Sequence, residues 1–130
     1  MSSQRFLLKG GQILGGKAAD ILIADGQIAQ ISASISDKDA TAVDIKGSIV
    51  LPGLVDLHTH LREPGREDSE TVASASRAGA KGGFTALSAM ANTSPVADTA
   101  GVVEQVYRLG QEAGFVDVFP IGAVTQGLHG

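Results

Sequence analysis

The sequence predicts an α/β protein, with a small β unit over residues 1–52 and strand–helix units over residues 53–130. Glycines separate short apolar runs in the first segment, whereas apolar strands alternate with amphipathic helices in the second. Strands of the second segment start near Val55, Thr85 and Val116. This spacing of about 30 residues is the length of one βα unit and an eighth of a (β/α)8 barrel. We therefore expect the first units of a parallel barrel or an open sheet, in a chain too short to close a barrel.

The clearest element of the first segment is a β-hairpin over Ile21–Ile31. Apolar residues flank Asp25 and Gly26 on both sides, and this dipeptide favours a two-residue turn with positive φ angles. Further glycines divide the rest of the segment into short strands, and a last apolar run precedes Pro52. The segment is therefore interpreted as a small β domain.

In the second segment we expect a strand over Leu54–Leu61, followed by a helix of small residues. Asp68 or Ser69 is the expected cap of this helix, and Gly82 is its expected end. A strand over Phe84–Met90 comes next.

A second helix is predicted from Asp98 to Gly114, and a third strand over Phe115–Val124. The helix is indicated by apolar residues at i, i+4 and i+7, which are Val102, Val106 and Leu109. Strands joined through helices in this way pair in parallel.

Composition and charge exclude several classes of function. The net charge is −4 with no basic run, so we expect neither a nucleic-acid partner nor a membrane partner. The chain contains no cysteine, so any metal must be held by histidine and carboxylate side chains. No stretch reaches the ~20 apolar residues that span a bilayer. These features fit a cytoplasmic protein.

The stretch VDLHTHLREPG, Val55–Gly65, places two histidines one residue apart. Side chains alternate along a strand, so Asp56, His58 and His60 are expected on one face. Residues i and i+2 are roughly 6.5 Å apart along a strand, a gap that two imidazoles can close to bind one ion at about 2.0–2.1 Å. The pattern therefore predicts a metal site at His58 and His60.

The position of the histidines along the strand supports this interpretation. They lie at the carboxyl end of the first parallel strand, where barrel enzymes carry their chemistry. Asp56 has two open interpretations: a carboxylate that orients an imidazole through its other nitrogen, or a polar side chain satisfied by backbone amides. The remaining histidine, His129, is flanked by glycine and is interpreted as a loop residue.

At DLHTHLREPGRE the sequence resembles the dihydroorotases of the amidohydrolase superfamily. The segment MANTSP, Met90–Pro95, resembles the Asn-Thr segment that ends strand two in this family, and PIGAVTQG, Pro120–Gly127, is a weaker match on strand three. Residues 1–52 resemble the small β-sandwich domain of these enzymes. The family more often has proline where this chain has Ala91.

The resemblance implies a zinc-dependent enzyme that reversibly cyclises N-carbamoyl-L-aspartate to L-dihydroorotate in pyrimidine biosynthesis. By the same resemblance, His58 and His60 are ligands of the more buried of two zinc ions. Arg62 and Asn92 hold the substrate's carboxylate, and His60 also belongs to the substrate site. The general-base aspartate and the other zinc ligands are expected after Gly130, so this chain alone should be inactive. A homodimer or an association with aspartate transcarbamoylase is also implied.

Three alternatives stay open at this point. The chain could belong to another cyclic-amide hydrolase, such as an allantoinase or a hydantoinase, although the allantoinase loop lacks an arginine at the position of Arg62. It could come from a non-catalytic homologue that acts as a structural partner. It could also be a complete small domain with an open three-stranded sheet, which leaves apolar surface exposed.

Overall fold

The computed structural model describes residues 4–129, and the chain divides into two compact units, Met1–Pro52 and Gly53–Gly130. The division falls where the sequence pattern changes from glycine-separated strands to strand–helix units. Each unit has its own cluster of buried apolar side chains.

The first unit contains one mixed β-sheet of five strands. These are β1 Arg5–Ile13, β2 Ala18–Ala24, β3 Gln27–Ser32, β4 Thr41–Asp44 and β5 Ile49–Val50. The strand order is β3-β2-β1-β4, and β5 also pairs with β1. The first three strands run antiparallel, whereas β4 and β5 lie parallel to different parts of β1. The described part of this unit is a single sheet, so the second layer of a sandwich stays a prediction.

The hairpin expected at Asp25 and Gly26 is confirmed. The two residues have φ angles of 53° and 73°, which a tight hairpin turn requires, and β2 and β3 pair on either side of them. The core of the sheet is formed by Leu7 and Leu22, which are covered by Ile35 from the segment after β3.

The second unit is a three-stranded parallel sheet with two helices on one face. Its elements are β6 Leu54–Thr59, α1 Val72–Lys81, β7 Phe84–Ala89, α2 Ala100–Ala113 and β8 Asp117–Pro120, with the strand order β6-β7-β8. The predicted parallel strand–helix units are thus confirmed. Strand and helix side chains form one core: Leu61, Val72, Leu87, Ala89, Val106, Val116 and Val118. Over residues 4–129, neither helix combines the length and apolarity needed to cross a membrane.

Helix α1 begins later than the sequence suggests. The cap predicted at Asp68 or Ser69 is wrong, because Thr71 caps the helix. The Thr71 hydroxyl accepts a hydrogen bond from the Ser74 amide, and the Ser74 hydroxyl accepts one from the Thr71 amide. The end predicted at Gly82 is confirmed.

Helix α2 has Thr99 and not the predicted Asp98 at its N-cap position, and the Thr99 side chain makes no capping hydrogen bond. The Asp98 carboxylate instead accepts a hydrogen bond of 2.7 Å from the backbone amide of Gly127, in the loop after β8. The helix ends at Gly114, as predicted, with a left-handed φ of 65°.

The third strand is shorter than the predicted Phe115–Val124 and ends at Pro120. The amide of Ile121 makes a further hydrogen bond to β7. The chain then leaves the sheet, and the amide of Ala123 donates to the carbonyl of Ala97 in the loop after β7. The later apolar residues therefore belong to a loop.

Strand β6 lies at an edge of the sheet, and its apolar side chains are exposed. Leu57 is 73% exposed and Val55 is 57% exposed. Three strands leave these side chains uncovered, whereas eight close a barrel. The closed barrel therefore stays a proposal.

Candidate active site

Hydrogen bonds join the ends of β6 and β7 at the predicted site. The amide of Met90 donates to the carbonyl of Thr59 at 2.9 Å, and the amide of Ser94 donates to the carbonyl of Pro64 at 2.9 Å. The hydroxyl of Thr59, which separates the two histidines in sequence, donates to the carbonyl of Ser88 at 2.8 Å. These bonds hold the loop after β6 against the loop after β7.

The imidazoles of His58 and His60 lie side by side, as their spacing predicts. Their ring centres are 5.3 Å apart, and the ring planes are inclined by 68°. Two imidazoles that bind one tetrahedral ion through nitrogens at about 2.0–2.1 Å have ring centres about 5 Å apart. The separation in the structure is therefore suited to a shared cation.

Asn92, from the loop after β7, contacts the second of these rings. Its Oδ1 lies 2.9 Å from Nδ1 of His60. An amide oxygen can only accept a hydrogen bond, so with Oδ1 toward the ring this contact requires a hydrogen on Nδ1. In a neutral imidazole, the other ring nitrogen, Nε2, then keeps its lone pair for a metal. From the sequence, Asn92 was expected in the substrate site, and its contact with His60 was not predicted.

Asp56 makes a different contact from the one that would orient a ring. Its Oδ1 accepts a 3.0 Å hydrogen bond from the backbone amide of His58. The pairing of β6 with β7 shifts between Asp56 and Thr59, so the strand is irregular just before His60. Asp56 pairs with Leu87, whose side chain lies in the core beneath the helices. An orienting role for Asp56 stays a prediction.

Arg62 lies at the surface of the loop after β6 in a strained backbone conformation. Its φ of 64° is in the left-handed region, which costs a side-chain-bearing residue roughly 1–2 kcal/mol. The carbonyl of Arg62 accepts a hydrogen bond from the amide of Arg66, which closes a tight loop. Strain of this kind is common at functional sites, where the surrounding structure maintains it.

Two neighbours of Arg62 explain how this loop is held. The Glu63 carboxylate accepts a 2.8 Å hydrogen bond from the amide of Val72, at the start of α1, where a negative charge is favourable. Gly65 has a φ of 103° and lies so close to Ser94 that a Cβ would collide with the Ser94 carbonyl oxygen. The Arg-Glu-Pro-Gly segment was recognised from the sequence as a motif. These two contacts were not predicted, because they depend on tertiary structure.

The donor set fits part of a zinc site. Neutral imidazoles are common zinc ligands, and a catalytic zinc normally has three protein ligands. Across residues 4–129, no group of three or more histidine, aspartate or glutamate side chains could hold a metal. His58 and His60 are therefore suited to be two ligands of a site that other residues complete. His129 is exposed and lies in the segment after β8.

Comparison with known proteins places these features in a family. Residues 47–130, more than half of the chain, match the family model described as dihydro-orotase-like. The chain belongs to the dihydroorotase-like family. It is 60% identical to a dihydroorotase of Streptomyces coelicolor over 95% of this chain. It is 58% identical to a dihydroorotase of Leifsonia xyli over 100% of this chain. A dihydroorotase of Mycobacterium tuberculosis is 52% identical over 95% of the chain. The chain spans 29–30% of the length of these relatives.

Solved structures show the same mixed α/β fold, at the N-terminal region of amidohydrolases. The L-hydantoinase (dihydropyrimidinase) of Arthrobacter aurescens matches with a TM-score of 0.74 and 27% identity, over 94% of this chain and 28% of its own. A dihydroorotase structure matches with a TM-score of 0.59 and 19% identity, over 95% of this chain and 32% of its own. The second likeness concerns the fold alone.

Proposed function

We propose that the protein containing this chain is a zinc-dependent dihydroorotase, which interconverts N-carbamoyl-L-aspartate and L-dihydroorotate in pyrimidine biosynthesis. The observation that carries the proposal is the pair of imidazoles at the carboxyl end of β6, 5.3 Å apart and in contact with Asn92. Identities of 52–60% with dihydroorotases support it. The proposal concerns the whole protein, so the remaining zinc ligands and the general-base aspartate are expected after Gly130.

In this proposal His58 and His60 hold the more buried of two zinc ions. Bound zinc supplies a water of lowered pKa, toward ~7, and polarises the carbonyl that is attacked. The two side chains carry no formal charge as neutral imidazoles, so the ion keeps a net positive charge at the site. His60 also borders the substrate pocket, because its ring contacts both His58 and Asn92.

Arg62 and Asn92 are proposed to hold the carboxylate of the substrate. The guanidinium of Arg62 offers two parallel N–H donors that match the two oxygens of a carboxylate. The amide of Asn92 adds a neutral donor through Nδ2 while its Oδ1 accepts from His60. Hydrogen bonds between the two loops, such as that from Ser94 to Pro64, keep these side chains at one end of the sheet.

The proposal is tested by comparing cyclic amides as substrates of the full-length protein. Purified enzyme loaded with zinc is assayed with L-dihydroorotate, allantoin and hydantoin at equal concentrations, and kcat/KM is obtained for each. We expect L-dihydroorotate to be preferred by at least about 100-fold, because Arg62 requires a carboxylate that the other two substrates lack. Equal or preferential turnover of allantoin or hydantoin contradicts the assignment.

A hydantoinase is the second candidate. It is favoured by the structural likeness to the L-hydantoinase of Arthrobacter aurescens, with its TM-score of 0.74. The same assay decides between the two, since a hydantoinase turns over the unsubstituted ring. The Arg62→Ala variant gives a second test of the two candidates. If Arg62 binds the carboxylate of dihydroorotate, the variant should turn over dihydroorotate more slowly and hydantoin as fast as wild type.

A further inference from the structure

The contact between Asn92 and His60 joins a residue assigned to the substrate with a residue assigned to the metal. Oδ1 of Asn92 is 2.9 Å from Nδ1 of His60, and both side chains are exposed at the loops after β7 and β6. A neutral imidazole has two tautomers, and only the one with hydrogen on Nδ1 presents the Nε2 lone pair. The partner of Nδ1 therefore decides which nitrogen can bind a cation.

We propose that Asn92 is a positioning residue for the metal: its Oδ1 fixes the tautomer and the orientation of His60, so that Nε2 faces the cation shared with His58. The inference rests on the proposed function and adds a second task to the substrate role given to Asn92. Partners that hold the second nitrogen of a metal-binding histidine commonly contribute 10–100-fold to metal affinity.

The surrounding loop is built to hold Asn92 in this position. Ala91 is buried, and its carbonyl accepts hydrogen bonds from the amides of Thr93 and Ala97 at 2.9 and 3.0 Å. The Thr93 hydroxyl donates to the carbonyl of Pro95 at 2.7 Å. The loop is thus closed by its own backbone, and the Asn92 side chain projects from a fixed turn toward the imidazole.

The test uses full-length protein and three variants, with the zinc dissociation constant measured by chelator competition. Asn92→Ala should weaken zinc binding by 10–100-fold, because no acceptor remains for Nδ1. Asn92→Asp should retain wild-type affinity or exceed it, since a carboxylate oxygen also accepts from Nδ1, while its charge repels the substrate and raises KM. Ser94→Ala is the matched control, because it truncates an exposed side chain of the same loop and keeps the bond from the Ser94 amide to Pro64, and it should bind zinc as wild type does.

A second readout does not depend on turnover. Histidine-selective 15N NMR of zinc-free protein should show the hydrogen of His60 on Nδ1, and Asn92→Ala should shift this ring toward the other tautomer. Unchanged zinc affinity in Asn92→Ala overturns the inference, as does an equal loss in Ser94→Ala or a wild-type His60 with its hydrogen on Nε2. Wild-type protein that binds no zinc, or does not turn over dihydroorotate, contradicts the proposed function instead.

Discussion

The two units of the chain use their charged and polar side chains in different ways. In the first unit, Arg5 donates to Asp37 in the segment after β3 at 2.5 Å, and Lys9 on β1 donates to Asp20 on β2 at 3.2 Å. In the second unit, the one ion pair among the described residues, Arg66–Asp68, is exposed. The imidazoles and Asn92 lie at the carboxyl ends of β6 and β7.

Two carboxylates of the first unit, Asp20 and Asp37, accept hydrogen bonds that stabilise the fold. The backbone amide of Ile35 donates to Asp20 and holds the pKa of that carboxyl below its usual range, and Gly10 and Lys9 act in the same direction. The Arg5 guanidinium lowers the pKa of Asp37 in the same way. Buried polar groups in the first unit thus support the fold, whereas the imidazoles of the second unit are accessible to a ligand.

The largest effect that this comparison predicts is at the histidine pair. His58→Ala in the full-length protein should remove the zinc shared with His60 and lower activity by more than about 100-fold, because even outer partners of a ligand contribute 10–100-fold. Zinc is measured by elemental analysis after dialysis, and activity with L-dihydroorotate. His129→Ala is the control and should leave both unchanged. Unchanged zinc content in His58→Ala contradicts the account.

The next effect concerns the glycine between the two loops. Gly65→Ala should lower the free energy of unfolding by about 1–3 kcal/mol and reduce activity, because its φ is 103° and the new Cβ collides with Ser94. Gly15→Ala is the matched control in the first unit. Gly15 also has a positive φ, of 74°, but no neighbour within 4 Å, so the loss should be smaller and activity unaffected. If Gly65→Ala and Gly15→Ala reduce activity equally, the expectation that only the loop of the second unit supports the active site is contradicted.

At Arg62, substitutions can separate the effect of the strained backbone from the effect of the charged side chain. Arg62→Lys should raise KM for dihydroorotate by about tenfold, since a point charge replaces a two-pronged donor. Arg62→Gly should raise KM at least as much while it stabilises the fold, because glycine accepts a φ of 64° without strain. Both are checked by steady-state kinetics and urea unfolding. A KM unchanged in both variants removes Arg62 from the substrate site.

The smallest effect on activity is predicted in the first unit. Asp20 is 5% exposed and accepts from Gly10, Ile35 and Lys9, so Asp20→Asn should lower stability at pH 7 without changing kcat/KM. The folded-state pKa is lowered, so this contribution is present above the unfolded value of about 3.9 and is lost as the pH falls through the folded value.

Urea unfolding at several pH values checks this prediction. The difference between the midpoints of wild type and Asp20→Asn should be full at pH 7 and should shrink below about pH 4. Asp39→Asn, at an exposed position, is the control. A difference between wild type and Asp20→Asn that grows as the pH falls contradicts the assigned direction.

Local sequence patterns predicted the elements well. The turn at Asp25 and Gly26, the parallel strand–helix units and the ends of both helices at glycines follow from backbone preferences that depend on few residues. The helix starts were missed because several candidate caps stand next to one another in sequence. Which hydroxyl or carboxylate caps a helix depends on its competing contacts, as with Asp98, which bonds Gly127 instead.

The histidine pair was predicted from spacing, but its surroundings were not. The contact of Asn92 with His60 joins residues that are 32 positions apart, and Glu63 reaches the start of α1. Such contacts depend on how the strand ends lie in register, and the shift between β6 and β7 after Asp56 shows that simple alternation does not give this register.

Anomalous diffraction from crystals of the full-length protein, collected on both sides of the zinc absorption edge, would show whether His58 and His60 bind one zinc ion. We expect a zinc peak about 2.0–2.1 Å from one ring nitrogen of each of His58 and His60, with Asn92 on the other nitrogen of His60. Rings that point away from each other, or a zinc peak that contacts neither of them, would contradict it.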